Sequence, residues 1–295
     1  MSEAVGFVGV GAMGSAIASR LVDTHELLVN DRNEASAARL VERGATFSSL
    51  EEIGARCRVV FLSLPRPSDV QELLIGAGGL ADKLQPGSVI IDTTTGTPTT
   101  DQALTKELAT RQIDFVDAPI GGGVSRAEAG TAALMVGAAD DVFARVAPLL
   151  HEVTADVIHV GPVGSGHAAK LVNNLLNSCN RFAAMEAIRL GEVAGIPREV
   201  IVDVINRGSA RNYATENTYP NMLMGGTPEQ PYKLQHFTLQ LLDKDLRLAN
   251  QLAEELHHDT PIGHLVQQFV DSALERFGPD ADQSQMMAEW YADAR

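Results

Sequence analysis

Two cysteines, Cys57 and Cys179, are all that the 295 residues contain. They are too few and too isolated for a disulfide framework, so a reducing compartment, the cytoplasm, is expected. Basic residues are scarce as well: 23 Lys and Arg against 38 Asp and Glu leave a net charge of −15. With no Lys/Arg-rich stretch, nucleic acid and anionic membranes are excluded as main partners, since both need a basic footprint. A small anion still binds wherever a local pocket is positive. No apolar run is long enough to span a bilayer. The opening MSEAVGFVGV has neither a basic leader nor a small-residue cleavage site. Internal repeats and low-complexity segments are lacking too. The eight histidines show no metal spacing: His257 and His258 are adjacent and do not share a helical face. What is present is an ordinary globular composition, 45% apolar and 21% charged, long enough for two domains.

The first half alternates strand and helix. Short apolar runs at 5–10, 26–31, 58–64, 88–95 and 114–120 predict five strands, and 131–137 and 156–161 predict two more. Helical spacing at 12–23 and 99–111 fills gaps between them. Near-continuous apolar strands separated by helices indicate a mostly parallel, doubly wound sheet covered on both faces, an α/β Rossmann domain. After GPVGSG (161–166) the pattern changes to helix: one long element over 166–195, then 197–208, 237–259 and 261–278. The expected organisation is a dinucleotide-binding domain over 1–162 and an all-α domain over 163–295, joined by a long interdomain helix.

Gly9-Val10-Gly11-Ala12-Met13-Gly14 fits G-x-G-x-x-G, directly after a strand and at the start of a helix. Gly9 permits the tight turn, Gly11 lets the backbone approach a pyrophosphate, and Gly14 allows close helix–strand packing. The acid expected at the end of the second strand is Asp31. It bonds ribose hydroxyls and repels a 2′-phosphate, which favours NAD. Arg32 beside it accommodates NADP or is a solvated charge, and both readings stay open. The strand ends at LSLP and IDTTT face the same crevice, with Thr94 or Thr95 suited to a nicotinamide carboxamide or ribose.

GHAAKLVNN raises the question of mechanism. On a helix over 166–195, Gly166, Lys170, Asn173, Asn174, Asn177 and Arg181 fall on one stripe. A polar stripe is usually a wet face, but such a face favours Glu, Lys, Gln and Arg over helix-weakening asparagines. Short amides suit a confined polar pocket. An amine among apolar neighbours has its charged form disfavoured, which suits Lys170 to proton transfer. Asn174, one turn on, holds the substrate oxygen or the amine.

The segments GFVGVGAMGSAIA, LSLP, IDTTT, DAPIGGG, GSGHAAKLVNN and DKDLRLA occur in the order and spacing of the β-hydroxyacid dehydrogenase family, which this sequence resembles over essentially its whole length. The resemblance implies NAD or NADP as cofactor and an active site between the two domains. It implies Lys170 and Asn174 as the catalytic pair, and cofactor contacts from Leu64, Pro65 and Thr95 besides the glycine turn. It also implies Lys244 as a lysine that closes over the cofactor; from its neighbours alone Lys244 reads as an ordinary surface charge. The substrate is then a small anionic hydroxy acid or semialdehyde, and the chain a homodimer or homotetramer. The substrate loop departs from the family's D-A-P-V-S-G-G, because the serine is replaced by Gly121, followed by Gly122 and Gly123. One hydroxyl donor is lost and space is gained. A glycine there also occurs in sulfolactaldehyde reductase, but with an arginine after it, so a sulfonated or polyhydroxylated semialdehyde is the alternative substrate. Arg211 and Asn212, in the polar segment 206–223, are placed to bind an acidic head. Imine reduction on a similar scaffold is disfavoured by Lys170, which such relatives generally lack. A non-catalytic dinucleotide-binding protein is the rival from another class.

Overall fold

Ala4–Val8 form the first strand, β1, and all five residues are buried. A strand hidden on both faces belongs inside a parallel sheet. β1 pairs in parallel with β2 (Leu27–Asn30) on one side and β4 (Cys57–Leu62) on the other. With β3 (Thr46–Phe47), β5 (Val89–Asp92) and β6 (Asp114–Asp117) the parallel order is β3-β2-β1-β4-β5-β6. Successive side chains of β1 point to opposite faces. Val5 and Phe7 enter one core, Ala4 and Val8 the other. Phe7 stacks on Phe61 of β4 at 5.6 Å between ring centroids. The structure is a computed structural model, and it describes residues 4–220 and 237–287.

Beyond β6 the sheet becomes mixed. β8 (Ala133–Gly137) runs antiparallel to β6 and to the short β7 (Ile120–Gly121), and β9 (Val157–Gly161) pairs in parallel with β8. The segment 114–120, expected as one strand, is therefore broken. Pro119 has no N–H to give a ladder, and the chain bends there. The helices α1 (Ala12–Ala18), α2 (Ala38–Val41), α3 (Leu50–Arg56), α4 (Pro67–Ile75), α5 (Pro98–Ala109), α6 (Gly123–Glu128) and α7 (Asp140–Val153) connect the strands. Ile17 of α1 and Leu150 of α7 pack on the Phe7 face; Ile53 of α3, Leu74 of α4 and Leu108 of α5 pack on the Val8 face. Each such fully buried aliphatic contributes about 1.5–3 kcal/mol.

The expected long helix is α8 (Ser165–Val193), and Gly195 ends it with a φ of 85°. It is followed by α9 (Arg198–Arg207), α10 (Leu239–Glu255) and α11 (Pro261–Phe277). Phe182, Met185 and Ile188 recur at helical spacing on α8 and share a core with Leu242 and Leu246 of α10 and with Val266 and Val270 of α11. The chain divides into two compact units, Met1–Lys170 and Leu171–Arg295. In this division the start of α8 goes with the sheet, to which it is bonded: the Gly164 and His167 N–H groups donate to Asp117 of β6 at 2.7 and 2.8 Å. No helix among the described residues is long and apolar enough to cross a membrane.

Candidate active site

In a parallel sheet the carboxyl ends of all strands lie along one edge, and open α/β sheets bind their ligands there. Here that edge gathers the glycine turn after β1, Asp31 after β2, Leu64 and Pro65 after β4, Thr95 after β5 and the start of α8 beside β6. Gly9 has a φ of 89°, and a Cβ on it would stand 2.3 Å from the Ser63 carbonyl oxygen. A Cβ on Gly14 would stand 1.9 Å from the Gly9 carbonyl oxygen. Both positions therefore require glycine. Gly11 differs: it is exposed, and a Cβ there would meet nothing within 4 Å, so open space lies over the turn. That space, at a strand-to-helix turn, fits a pyrophosphate laid against backbone.

Asp31 is half-buried and fixed. Its Oδ2 accepts the Val10 N–H and its Oδ1 the Asn33 N–H, each at 2.8 Å. Two bonds leave lone pairs of the carboxylate to spare. Arg32 is exposed. Leu64 donates its N–H to Thr94 Oγ1 at 2.9 Å, which ties the loop after β4 to the loop after β5. Pro65 is exposed and Thr95 half-buried. Gly121 is buried in β7, while Gly122 and Gly123 follow with φ values of 116° and 80°. A Cβ on Gly121 would approach the Met135 Cε methyl at 3.2 Å, so a side chain fits only if that methyl gives way.

At the start of α8 lies a buried charge cluster that sequence reasoning missed. His167 is fully buried, with Nδ1 2.6 Å from Asp101 Oδ2 and Nε2 2.6 Å from the Thr94 carbonyl oxygen. Asp92 and Asp117 are buried beside it. Burial is the largest influence on the imidazole and opposes its charge. The Asp101 hydrogen bond and the field of Asp101, Asp92 and Asp117 prevail, raising its pKa to about 9. Burial likewise pushes the Asp92 carboxyl up to about 6 and raises Asp117. Asp92, Asp101 and His167 each bring a metal-ligand type of atom within 4.8 Å of the others. Both ring nitrogens are already bonded, however, and Asp92 Oδ1 accepts the Thr94 N–H at 2.9 Å. The signal available in sequence was only a histidine three residues before Lys170; Asp101, sixty-six residues away, has no recognisable spacing to it. Lys170 is half-buried on the turn that follows.

In the second unit, Asn174 donates Nδ2–H to Asp245 Oδ2 at 2.8 Å, and Lys244 Nζ lies 3.5 Å from Asp245 Oδ1. The buried Asp245 thus holds together two residues expected at the site, a role invisible in DKDL. Arg181, expected on the polar stripe, is buried instead, donates to Gln283 and has its charge disfavoured by burial. Arg211 is exposed and pairs with Glu216 at 2.5 Å. Asn212 Oδ1 accepts the N–H groups of Ala214 and Thr215 at 3.0 and 3.2 Å, capping a π-helical turn (Ala214–Thr218) where a loop was expected. Residues 221–223 of that segment lie outside the described residues.

A doubly wound parallel sheet with a glycine turn and a strand-end acid, followed by a helical unit, is the architecture of a dinucleotide-binding protein. Residues 4–161 match the family model for the NAD binding domain of 6-phosphogluconate dehydrogenase, and residues 164–290 match that for the NAD-binding of NADP-dependent 3-hydroxyisobutyrate dehydrogenase. The chain is 33% identical to 2-(hydroxymethyl)glutarate dehydrogenase of Eubacterium barkeri, over 97% of this chain and 94% of the relative. It is 31% identical to the NAD-dependent L-serine dehydrogenase of Pseudomonas aeruginosa, over 88% and 89% of the two chains. A solved structure of Mycobacterium tuberculosis 3-hydroxyisobutyrate dehydrogenase with L-serine superposes with a TM-score of 0.86 at 26% identity, over 98% and 99% of the two chains. The chain belongs to the β-hydroxyacid dehydrogenase family. It is an NAD(P)-dependent dehydrogenase interconverting a hydroxy acid and its semialdehyde.

Proposed function

We propose that the enzyme oxidises the hydroxymethyl group of a 2-substituted 3-hydroxypropanoate, or reduces the corresponding semialdehyde, with Lys170 as general acid/base. The carrying observation is the lysine's place: half-buried, one turn into a helix whose start is bonded to the ligand-binding edge of the sheet. The bound dinucleotide supplies the hydride acceptor or donor. In oxidation the Lys170 amine takes the hydroxyl proton as the C–H bond breaks; in reduction its ammonium gives that proton back to the developing alkoxide. Asn174, held by Asp245, orients the reacting oxygen. Gly9, Val10, Gly11, Ala12, Met13 and Gly14 cradle the pyrophosphate, and Asp31 takes the ribose hydroxyls and favours NAD. Leu64, Pro65 and Thr95 line the nicotinamide side, and Lys244 closes over it.

The relatives named for 2-(hydroxymethyl)glutarate, L-serine and 3-hydroxyisobutyrate act on molecules with a common HO–CH2–CH(R)–COO− frame. They differ in R. In this reading Gly121, Gly122 and Gly123 bind the carboxylate through backbone, and the missing side chain at Gly121 leaves room for a large or anionic R once the Met135 methyl, 3.2 Å from where a Cβ would stand, moves aside. Arg211 is a candidate for holding a second anionic group, once released from Glu216. An oxidation and reduction screen over such acids and their semialdehydes, sulfonated ones included, tests this. Activity confined to substrates without a carboxylate or sulfonate would sink it. Gly121→Ser, with Met135 shifting slightly, is expected to favour the small 3-hydroxyisobutyrate over 2-(hydroxymethyl)glutarate by about tenfold in kcat/KM. An unchanged ratio removes Gly121 from the specificity argument.

We also place the enzyme in the cytoplasm, supported by its free cysteines, and read it as a homodimer or homotetramer. Val172, Leu176, Leu190 and Val193 of α8 and Val200 and Val204 of α9 are large apolar residues left exposed. Such a run of apolar surface calls for a partner. Light scattering is expected to give a multiple of the chain mass, with Leu190→Glu/Val193→Glu shifting it toward one chain. A monomeric wild type refutes this.

A further inference from the structure

We propose that His167 is a positioning residue for the reaction: clamped between Asp101 and the Thr94 carbonyl, its ring fixes the 93–97 loop to the first turn of α8, so that Thr95 and Lys170 sit in one rigid frame. This rests on the reading that Thr95 lines the cofactor and Lys170 moves the proton.

The ring's two partners and its raised pKa of about 9 together set its protonation below that pH. A carbonyl oxygen only accepts, so Nε2 carries a hydrogen toward Thr94 at 2.6 Å. An ionised carboxylate only accepts, so Nδ1 carries one toward Asp101, also at 2.6 Å. The imidazolium is faced by Asp101 from α5, Asp92 from β5 and Asp117 from β6. It is also seated by shape: a Cβ on Gly96 would stand 2.6 Å from His167 Cε1, so the loop must be bare beneath the ring. The backbone N–H of His167 is bonded to Asp117, and its side chain lies on the same face as Lys170, three residues on. Through Thr94, whose Oγ1 accepts the Leu64 N–H, the bonds continue to the loop after β4. The loops after β4 and β5, helix α5 and the lysine's helical turn are therefore joined through one residue. Core filling alone asks for neither of its two polar bonds.

A neutral imidazole can donate only one of those bonds, so the clamp is complete below the raised pKa and opens as pH rises through about 9. Asp101→Asn removes this limit, because its amide donates to a neutral Nδ1 while Nε2–H stays on Thr94. The test is fluorescence titration with NADH and NADPH from pH 7 to 10 on wild type, His167→Leu and Asp101→Asn, with circular dichroism to confirm folding. Wild type should bind more weakly above pH 9, Asp101→Asn should lack that step, and His167→Leu should bind about tenfold more weakly already at pH 7. A folded His167→Leu that binds like wild type overturns the proposal. So does an identical alkaline step in wild type and Asp101→Asn, which decides the matter even if His167→Leu does not fold. Lys170's role is tested by turnover instead of by cofactor affinity, so the two readings fail on different measurements.

Discussion

Lys170→Met is expected to lower kcat by about a thousandfold in both directions, within the range that a positioned acid/base supplies, and to leave NADH binding intact. The reason is local. A hydride cannot leave the carbinol carbon without the hydroxyl proton going somewhere, and the protein must offer an acceptor at that oxygen. Lys170 stands one helical turn from a backbone N–H that is pinned to Asp117 at 2.8 Å, so its Cα is set by the sheet. Methionine keeps an unbranched apolar stem of similar length and lacks the amine, so a loss reports proton transfer and not a cavity. Restoration of turnover in Lys170→Ala by added small amines is the complementary result. Steady-state kinetics on the substrates of the screen decide it. Full turnover in Lys170→Met ends the proton-transfer assignment. Binding of NADH by a wild type inert toward every substrate in the screen favours the non-catalytic rival.

How much of this was legible before the structure depends on the range of the interactions. The glycine turn, Asp31 and the lysine helix are local patterns, because strand, turn and helix each dictate residue types at fixed offsets. The long helix was anticipated over 166–195 and runs Ser165–Val193. What stayed hidden is what joins distant segments. Asp101 reads as a surface residue near a helix start, yet it is 1% exposed and pairs with His167. Asp245 reads as one of several charges in DKDL, yet it anchors Asn174. Asp117 reads as part of the substrate loop, yet its carboxylate accepts the Gly164 and His167 N–H groups at the start of α8. Buried carboxylates persist only where donors meet them, and those donors lie tens of residues away. Arg181 shows the converse: helical periodicity put it on the polar stripe, but the packing of Tyr219 and Gln283 takes it into the core, where the Tyr219 hydroxyl donates to its carbonyl oxygen at 3.2 Å.

The second large effect concerns the cofactor. Wild type is expected to bind NADH about a hundredfold more tightly than NADPH, a difference of roughly 2.7 kcal/mol. Asp31 sits at the end of β2 with its carboxylate oriented by the Val10 and Asn33 N–H groups, so it cannot swing away from an incoming 2′-phosphate. Two like charges about 4 Å apart at an effective dielectric near 20 repel by about 4 kcal/mol, and partial exposure of Asp31 reduces that to the smaller figure. Asp31→Ser removes the repulsion and also the bonds to the ribose hydroxyls. NADH should then bind about tenfold more weakly and NADPH more tightly, which inverts or abolishes the preference. Arg32 enters at this point. It is exposed beside Asp31, and while the carboxylate is present the two charges offset each other toward a phosphate. Arg32→Ala should therefore change NADPH affinity far more in the Asp31→Ser background than in wild type, a coupling that a double-mutant cycle measures directly. A wild type that prefers NADPH would reverse the assignment: Arg32 would then be the residue reading the 2′ position, and the bonds of Asp31 to the Val10 and Asn33 N–H groups would be its whole role.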